Sequence, residues 1–222
     1  MYQHTDILGN KLSFPCGKIV CVGQNYAAHI QEMNSNVSKQ AVFFIKPSTA
    51  ACPLAPTITI PSNQGACHHE LELALLIKSP LKNATPEQAL AAVGGFTLAL
   101  DLTLRDVQKQ LKEKGHPWER AKGFDGAAPL GPWLIYQNQN LQQLKLSLFK
   151  NDELIQTSST DKMLRDCATL LAEASECFTL CPGDVLLTGT PAGVGALTSG
   201  DRLNLVLDDL LEITTEVIVS AN

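Results

Sequence analysis

Glu70 and Glu72 stand inside the apolar run HHELELALLI, residues 68–77. At a strand's period of two, Leu71, Leu73, Leu75 and Ile77 share one face, and Glu70, Glu72 and Ala74 share the other. Residues i and i+2 of a strand lie roughly 7 Å apart. Two carboxylates so placed repel unless a cation lies between them or one takes up a proton. Asp101 offers a third acid on the small, polar face of another alternating segment, residues 96–106, in which Phe96, Leu98, Leu100, Leu102 and Leu104 share the opposite face. Three carboxylates with room for water suit a hard divalent cation such as Mg²⁺. No Cys or His stands at zinc-ligand spacing to them, so oxygen-favouring Mg²⁺ or Mn²⁺ is expected over zinc. A half-buried strand with scattered solvated acids has the same letters, and spacing alone does not choose between the two readings. His68 and His69 are equally open. Either orients a carboxylate, or both are ordinary histidines.

The elements that must position these acids are short. Residues 18–26 read as a strand ending in a glycine turn, 27–33 as helical, and 41–48 as a strand stopped by Pro47. Thr85, Pro86 and an early Glu mark a helix start, and Gly94-Gly95 reads as its stop. Residues 106–115 form an exposed helix closed by Gly115, and residues 144–155 a hairpin about Asn151-Asp152. Residues 161–178 have helical spacing, and 201–220 make two strands about Asp208-Asp209. Many short strands with about three helices predict a β-rich α+β fold. One domain over residues 1–222 is expected, with a lead-in over about residues 1–17.

Composition narrows the function. The chain has 222 residues, 45% of them hydrophobic and 18% charged, which describes an ordinary globular protein and not a disordered one. A net charge of −5 with no Lys/Arg-rich run argues against nucleic acid or an anionic membrane as partner. The longest apolar run, LELALLI, is far short of a membrane span, and the N-terminus lacks the order of a signal peptide. Seven cysteines without a C-x-x-C pair read as reduced thiols, and a cytoplasmic location is expected. Cys177 and Cys181 are read as small buried side chains. The Gly-rich TGTPAGVG lacks the Gly-Lys-Ser/Thr ending of a phosphate loop; its glycines fit a close approach of backbone to ligand.

Six motifs in order, VGQNYAAHIQEM, FFIKPS, HHELELALLI, LDLTLRDVQ, PWERAKGFD and LLTGTPAGVG, resemble the fumarylacetoacetate hydrolase family. The closest match is its small single-domain branch of acylpyruvases and oxaloacetate-handling proteins. The resemblance runs from about Lys18 to the C-terminus. It implies a β-roll with short peripheral helices, a homodimer, and Mg²⁺ or Mn²⁺ held by Glu70, Glu72 and Asp101. The family's catalytic His and Glu fall on His29 and Glu32, and its Lys on Lys122. Arg105, Gln108 and Thr190 fall on substrate-contacting positions, with Lys46 a weaker candidate beside them. Close relatives often read G-R-N-Y where this chain has Gly23-Gln24-Asn25-Tyr26, so Gln24 removes a cation from the edge of the site.

His29 and Glu32 would share a helix face and hydrogen-bond, so that His29 could take a proton from water. Residues 27–40 are expected to act as a lid that completes the site when substrate binds. The reaction expected first is metal-dependent hydrolysis of 2,4-diketo acids (acylpyruvates), giving pyruvate and a carboxylic acid. In it the metal chelates the 2-oxo acid and stabilises the pyruvate enolate. Lys122 and Gln108 stabilise charge on oxygen, and Arg105 and Thr190 hold a carboxylate. The rivals are an oxaloacetate keto–enol tautomerase or decarboxylase using the same site, and a non-catalytic dicarboxylate-binding protein.

Overall fold

A computed structural model describes residues 2–33 and 36–220. Its large sheet runs in the order Val42–Lys46, Ile19–Gly23, Val185–Leu187, Leu71–Ile77, Val93–Leu100, Ala128–Leu130 and Ala51–Pro53, with Leu134–Ile135 paired to Val93–Leu100. A second sheet runs in the order Glu153–Ser159, Lys145–Lys150, Arg202–Leu207, Leu211–Val219 and Thr57–Ile60. Leucines from both sheets, among them Leu71, Leu73, Leu98, Leu146, Leu148, Leu203 and Leu205, form one buried cluster. The helices are short and peripheral: α1 Ala27–Glu32, α2 Pro86–Ala91, α3 Arg105–Glu113, α4 Glu119–Lys122 and α5 Cys167–Cys177. This is the β-rich α+β roll the sequence predicts.

Local signals explain several elements. Asn151 and Asp152 both have positive φ, 53° and 69°, as a two-residue hairpin turn requires. In α2, Thr85 and Gln88 form a capping box, each side chain bonding the other's backbone N–H. Gly94 and Gly95 are not that helix's stop. They lie in strand Val93–Leu100, where Gly94 passes the Lys78 side chain and Gly95 the Leu134 carbonyl too closely for a Cβ. Cys177 and Cys181 are exposed, not buried; Cys177 is the last residue of α5. All seven cysteines are free.

The strand carrying the acids also departs from expectation. Every residue of Leu71–Ile77 is buried, so the strand is covered on both faces. Leu71, Leu73, Leu75 and Ile77 enter the main core, while Ala74 and Leu76 join a second cluster with Ile19, Cys21 and Leu187. Nor does the strand continue through Glu70. Leu71 pairs with Leu100, and one further bond, from Asp101 N to the Glu70 carbonyl at 2.9 Å, closes the ladder. Beyond it both chains enter a separate small sheet, in which Cys67–His69 pairs with Thr103–Leu104 on one side and Gly195–Ala196 on the other. Glu70 and Asp101 therefore occupy the seam between two sheets, where neither backbone is tied into a regular ladder.

The N-terminal lead-in is a hairpin of Gln3–Thr5 and Lys11–Pro15. His4, fully buried, pins it down. Its Nδ1 accepts the Trp133 indole N–H at 3.0 Å, which leaves Nε2–H to donate to the Gly183 carbonyl at 3.1 Å.

Candidate active site

The seam brings carboxylate oxygens of Glu70, Glu72 and Asp101 within 4.8 Å of one another, and all three residues are buried. Three buried acids need compensating charge, and three cations supply it. Lys122 Nζ donates to Glu70 Oε2 at 2.8 Å and to Asp101 Oδ2 at 2.7 Å. Arg105 Nη2 donates to Glu70 Oε1, and its Nη1 to Gln108 Oε1 at 2.7 Å. Lys46 Nζ lies 2.8 Å from Asp101 Oδ1.

Lys46 is, by the family resemblance, a weaker candidate beside the substrate-contacting positions. It lies instead beneath the site, fully buried, with its ammonium donating to the carbonyls of Leu102, Lys122 and Ala127. Those carbonyls take its protons, so Asp101 Oδ1 pairs with Lys46 by charge and distance yet accepts no hydrogen bond. A buried carboxylate oxygen with no donor, in an all-oxygen cluster, fits a hard cation. Glu70, Glu72 and Asp101 are therefore suited to hold Mg²⁺ or Mn²⁺.

The electrostatics divide the acids. Burial alone would raise Glu70, but Lys122 and Arg105 overcome it and hold this carboxyl well below the usual range. Glu72 goes the other way. Burial pushes it up, the charges of Asp101 and Glu70 push further, and the Lys122 charge and the Gly189 N–H, 2.6 Å from Oε2, only partly offset them. For Lys122, burial favours the neutral amine, but Asp101 and Glu70 prevail and keep it a cation.

These acids face a cleft also lined by His29, Arg105, Gln108, Lys122 and Thr190. His29 and Glu32 lie on α1, and His29 Nδ1 is 2.9 Å from Glu32 Oε2. The other Glu32 oxygen accepts the Gly193 N–H at 3.0 Å. Two glycines make this wall possible. Gly189 and Gly193 have φ of +95° and +100°, and a Cβ on Gly193 would meet the Ile155 carbonyl at 2.0 Å. Of the expected lid, residues 34 and 35 lie outside the described residues. The rest of it is tied at Ser38, whose N–H donates to Gln24 Oε1 at 3.2 Å, and at Lys39, whose carbonyl accepts from Arg165 Nη2 at 2.7 Å.

Comparison with known proteins decides the family. Residues 18–218 match the family model described as fumarylacetoacetate (FAA) hydrolase C-terminal. The chain belongs to the fumarylacetoacetate hydrolase family. It is 47% identical over 220 residues to oxaloacetate tautomerase YcgM of Escherichia coli (strain K12), covering 98% of this chain and 100% of that protein. It is 38% identical over 200 residues to the mitochondrial oxaloacetate tautomerase FAHD1 of Homo sapiens, covering 90% of each. Among solved structures, fumarylpyruvate hydrolase from Pseudomonas aeruginosa in complex with Mn²⁺ and pyruvate superposes with a TM-score of 0.91 at 35% identity, covering 99% of this chain and 96% of that one.

Within this family member, some site residues had no sequence signal. Gln156, buried in strand Glu153–Ser159, joins three parts of the site. Its Nε2 donates to Thr190 Oγ1 at 3.0 Å and to the Pro191 carbonyl at 2.9 Å. Its Oε1 accepts the Leu71 N–H at 3.0 Å and faces His69 Nδ1 at 3.0 Å. Pro191 O can only accept and Leu71 N only donate, so the amide orientation is fixed and His69 Nδ1 carries a proton. His69 thus orients Gln156 and not a carboxylate. Its burial lowers it to about 4, so it stays neutral. His68 Nδ1 has no hydrogen-bond partner. Arg105 pairs with Glu70, not with its neighbour Asp106, which instead accepts the Ala66 N–H at 3.3 Å.

Among the described residues, no helix is long and apolar enough to cross a membrane.

Proposed function

We propose that the protein is a divalent-metal-dependent oxaloacetate tautomerase. The observation that carries this reading is the convergence of the Glu70–Glu72–Asp101 cluster and the His29–Glu32 pair on one cleft. The names of the relatives at 47% and 38% identity favour oxaloacetate tautomerisation over the acylpyruvate hydrolysis expected first. Free thiols support a reducing, cytoplasmic setting, and the family resemblance supports a homodimer.

Tautomerisation moves one proton between the 2-oxygen and the neighbouring carbon. Mg²⁺ or Mn²⁺ bound by the three acids supplies a Lewis acid that stabilises negative charge on oxygen. His29 carries the proton. Donation of Nδ1–H to Glu32 leaves its Nε2 lone pair free to act as the base. Lys122 has committed two of its three N–H groups to carboxylates and keeps one for the ligand. Gln108 accepts Arg105 through Oε1, so its NH₂ is the part free to donate. Thr190 is held ready by Gln156.

The likeness to fumarylpyruvate hydrolase supports a second reading, hydrolysis of a 2,4-diketo acid. There His29 takes a proton from water, the water oxygen adds to the 4-carbonyl, and the carbon–carbon bond breaks to give pyruvate and a carboxylic acid. One NMR assay separates the two. Protein with Mg²⁺ or Mn²⁺ is given the enol of oxaloacetate and, separately, acetylpyruvate. Accelerated enol–keto exchange without acetate supports the tautomerase; acetate and pyruvate support the hydrolase. No turnover of either by metal-loaded protein refutes both and leaves a binding protein.

A further inference from the structure

The geometry points to Lys112 as the anchor for a second carboxylate on the substrate, which makes 2-oxo dicarboxylates the preferred class over 2-oxo acids with uncharged tails. This inference rests on the proposed binding of a 2-oxo acid at the acidic cluster.

The cations at the base of the site are already committed. Lys46 is surrounded by three carbonyls and Asp101, Lys122 spans Glu70 and Asp101, and Arg105 is held by Glu70 and Gln108. Lys112 lines the same cleft and, among the described residues, its side-chain ammonium makes no ion pair or hydrogen bond. It stands on α3, seven residues after Arg105 and four after Gln108, which puts the three on one helix face. At a 1.5 Å rise per residue, Lys112 lies roughly 10 Å further along the axis than Arg105. Arg105 is partly buried against Glu70 and Gln108 is buried, whereas Lys112 is exposed.

Among the described residues Lys112 has no ion-pair partner, and the carboxylates that line the cleft are Glu70, Glu72 and Asp101; Glu32, on the cleft wall, is taken up by His29 and the Gly193 N–H. Phe44, Trp118, Ile30 and Gln24 also line the cleft. Gln24 carries no charge, and its Oε1 is engaged by the Ser38 N–H, so only its NH₂ group is left to face an anion. A 2-oxo acid seated with its carboxylate and oxo group at the acids extends its tail along α3. A tail ending in a carboxylate meets Lys112, whereas an acetyl or longer acyl tail leaves that charge unpaired.

The test is calorimetry on Mn²⁺-loaded protein with pyruvate, which lacks the distal carboxylate, and with difluoro-oxaloacetate, which carries it and has no hydrogen to enolise. Wild type should bind the dicarboxylate more tightly. Lys112→Met should weaken difluoro-oxaloacetate about fivefold, as an exposed ion pair near 1 kcal/mol implies, leave pyruvate unchanged, and be rescued by Lys112→Arg. Equal loss for both ligands, or loss for neither, overturns the anchor. Because pyruvate reports on the intact base of the site, a misfolded variant is recognised as one. Selectivity that persists in a protein with no tautomerase turnover supports the anchor and refutes the reaction.

Discussion

Glu32 accepts the backbone N–H of Gly193, so the carboxylate that orients His29 is itself fixed by a loop 161 residues away in sequence. This arrangement dictates the tautomer. The Glu32 oxygen facing His29 can only accept, so Nδ1 carries the proton and Nε2 is the free base. In Glu32→Gln the amide oxygen keeps the Gly193 bond and turns NH₂ toward the ring. That favours the opposite tautomer, with the proton on Nε2. The variant should melt within a degree or so of wild type while kcat falls about 10²–10⁴-fold, the span of a lost general base. Unchanged kcat would remove His29–Glu32 from the reaction.

Glu72 separates metal binding from folding. It is the acid whose pKa stays raised, by burial and by the charges of Asp101 and Glu70, and its resolved side-chain hydrogen bond is from the Gly189 N–H. A glutamine oxygen accepts that bond equally well. Glu72→Gln should therefore fold with unchanged metal-free stability yet lose its response to Mn²⁺. For wild type, Mn²⁺ at a hundred times Kd should add about 2.7 kcal/mol. Thermal melts with and without Mn²⁺ read both effects, and a variant still stabilised by Mn²⁺ would exclude Glu72 as a ligand.

Lys46 is a buried support. Its removal takes one of Asp101's two cations, leaving Lys122 alone to balance it, and strips three carbonyls of their donor. Lys46→Met should cost about 3–5 kcal/mol, as for other broken buried ion pairs, measured by urea denaturation. A cost below about 1 kcal/mol, with substrate binding weakened instead, would return Lys46 to the substrate.

His4 gives the fold an acid-sensitive point. Burial holds the ring below its ordinary pKa, the Gly183 carbonyl offsetting this only in part, so the unfolded chain binds the proton more readily. Stability is thus complete above about pH 6.5 and declines as the pH falls below it. Urea midpoints taken at about pH 7.5 and pH 5 should drop more for wild type than for His4→Gln, which can keep both the Trp133 and Gly183 bonds without titrating. Parallel drops in the two proteins would assign the acid sensitivity elsewhere.

The letters alone determined a good deal. Alternation in residues 96–106 placed Phe96, Leu98, Leu100, Leu102 and Leu104 together, and all five lie in one core. Thr85-Pro86, Asn151-Asp152 and Gly115 punctuated the chain where the helix start, the hairpin turn and the helix end occur. Each of these rests on interactions a few residues apart. The acids in an apolar run stand out by residue type, yet their spacing fits a solvated strand face as well as a cation site. What the tertiary structure alone decided is how those acids are tolerated. The register that sets Leu71 opposite Leu100 brings Glu70 to Asp101 and breaks both strands there. Lys122 reaches Glu70 from 52 residues away, Gln156 reaches His69 from 87, and Gly189 reaches Glu72 from 117. A lone lysine, glutamine or glycine has no local pattern that reports such a partner. Its role is set by strand pairing between distant segments, where the cost of burying unpaired charge and unpaired amides selects which side chain can stand opposite which.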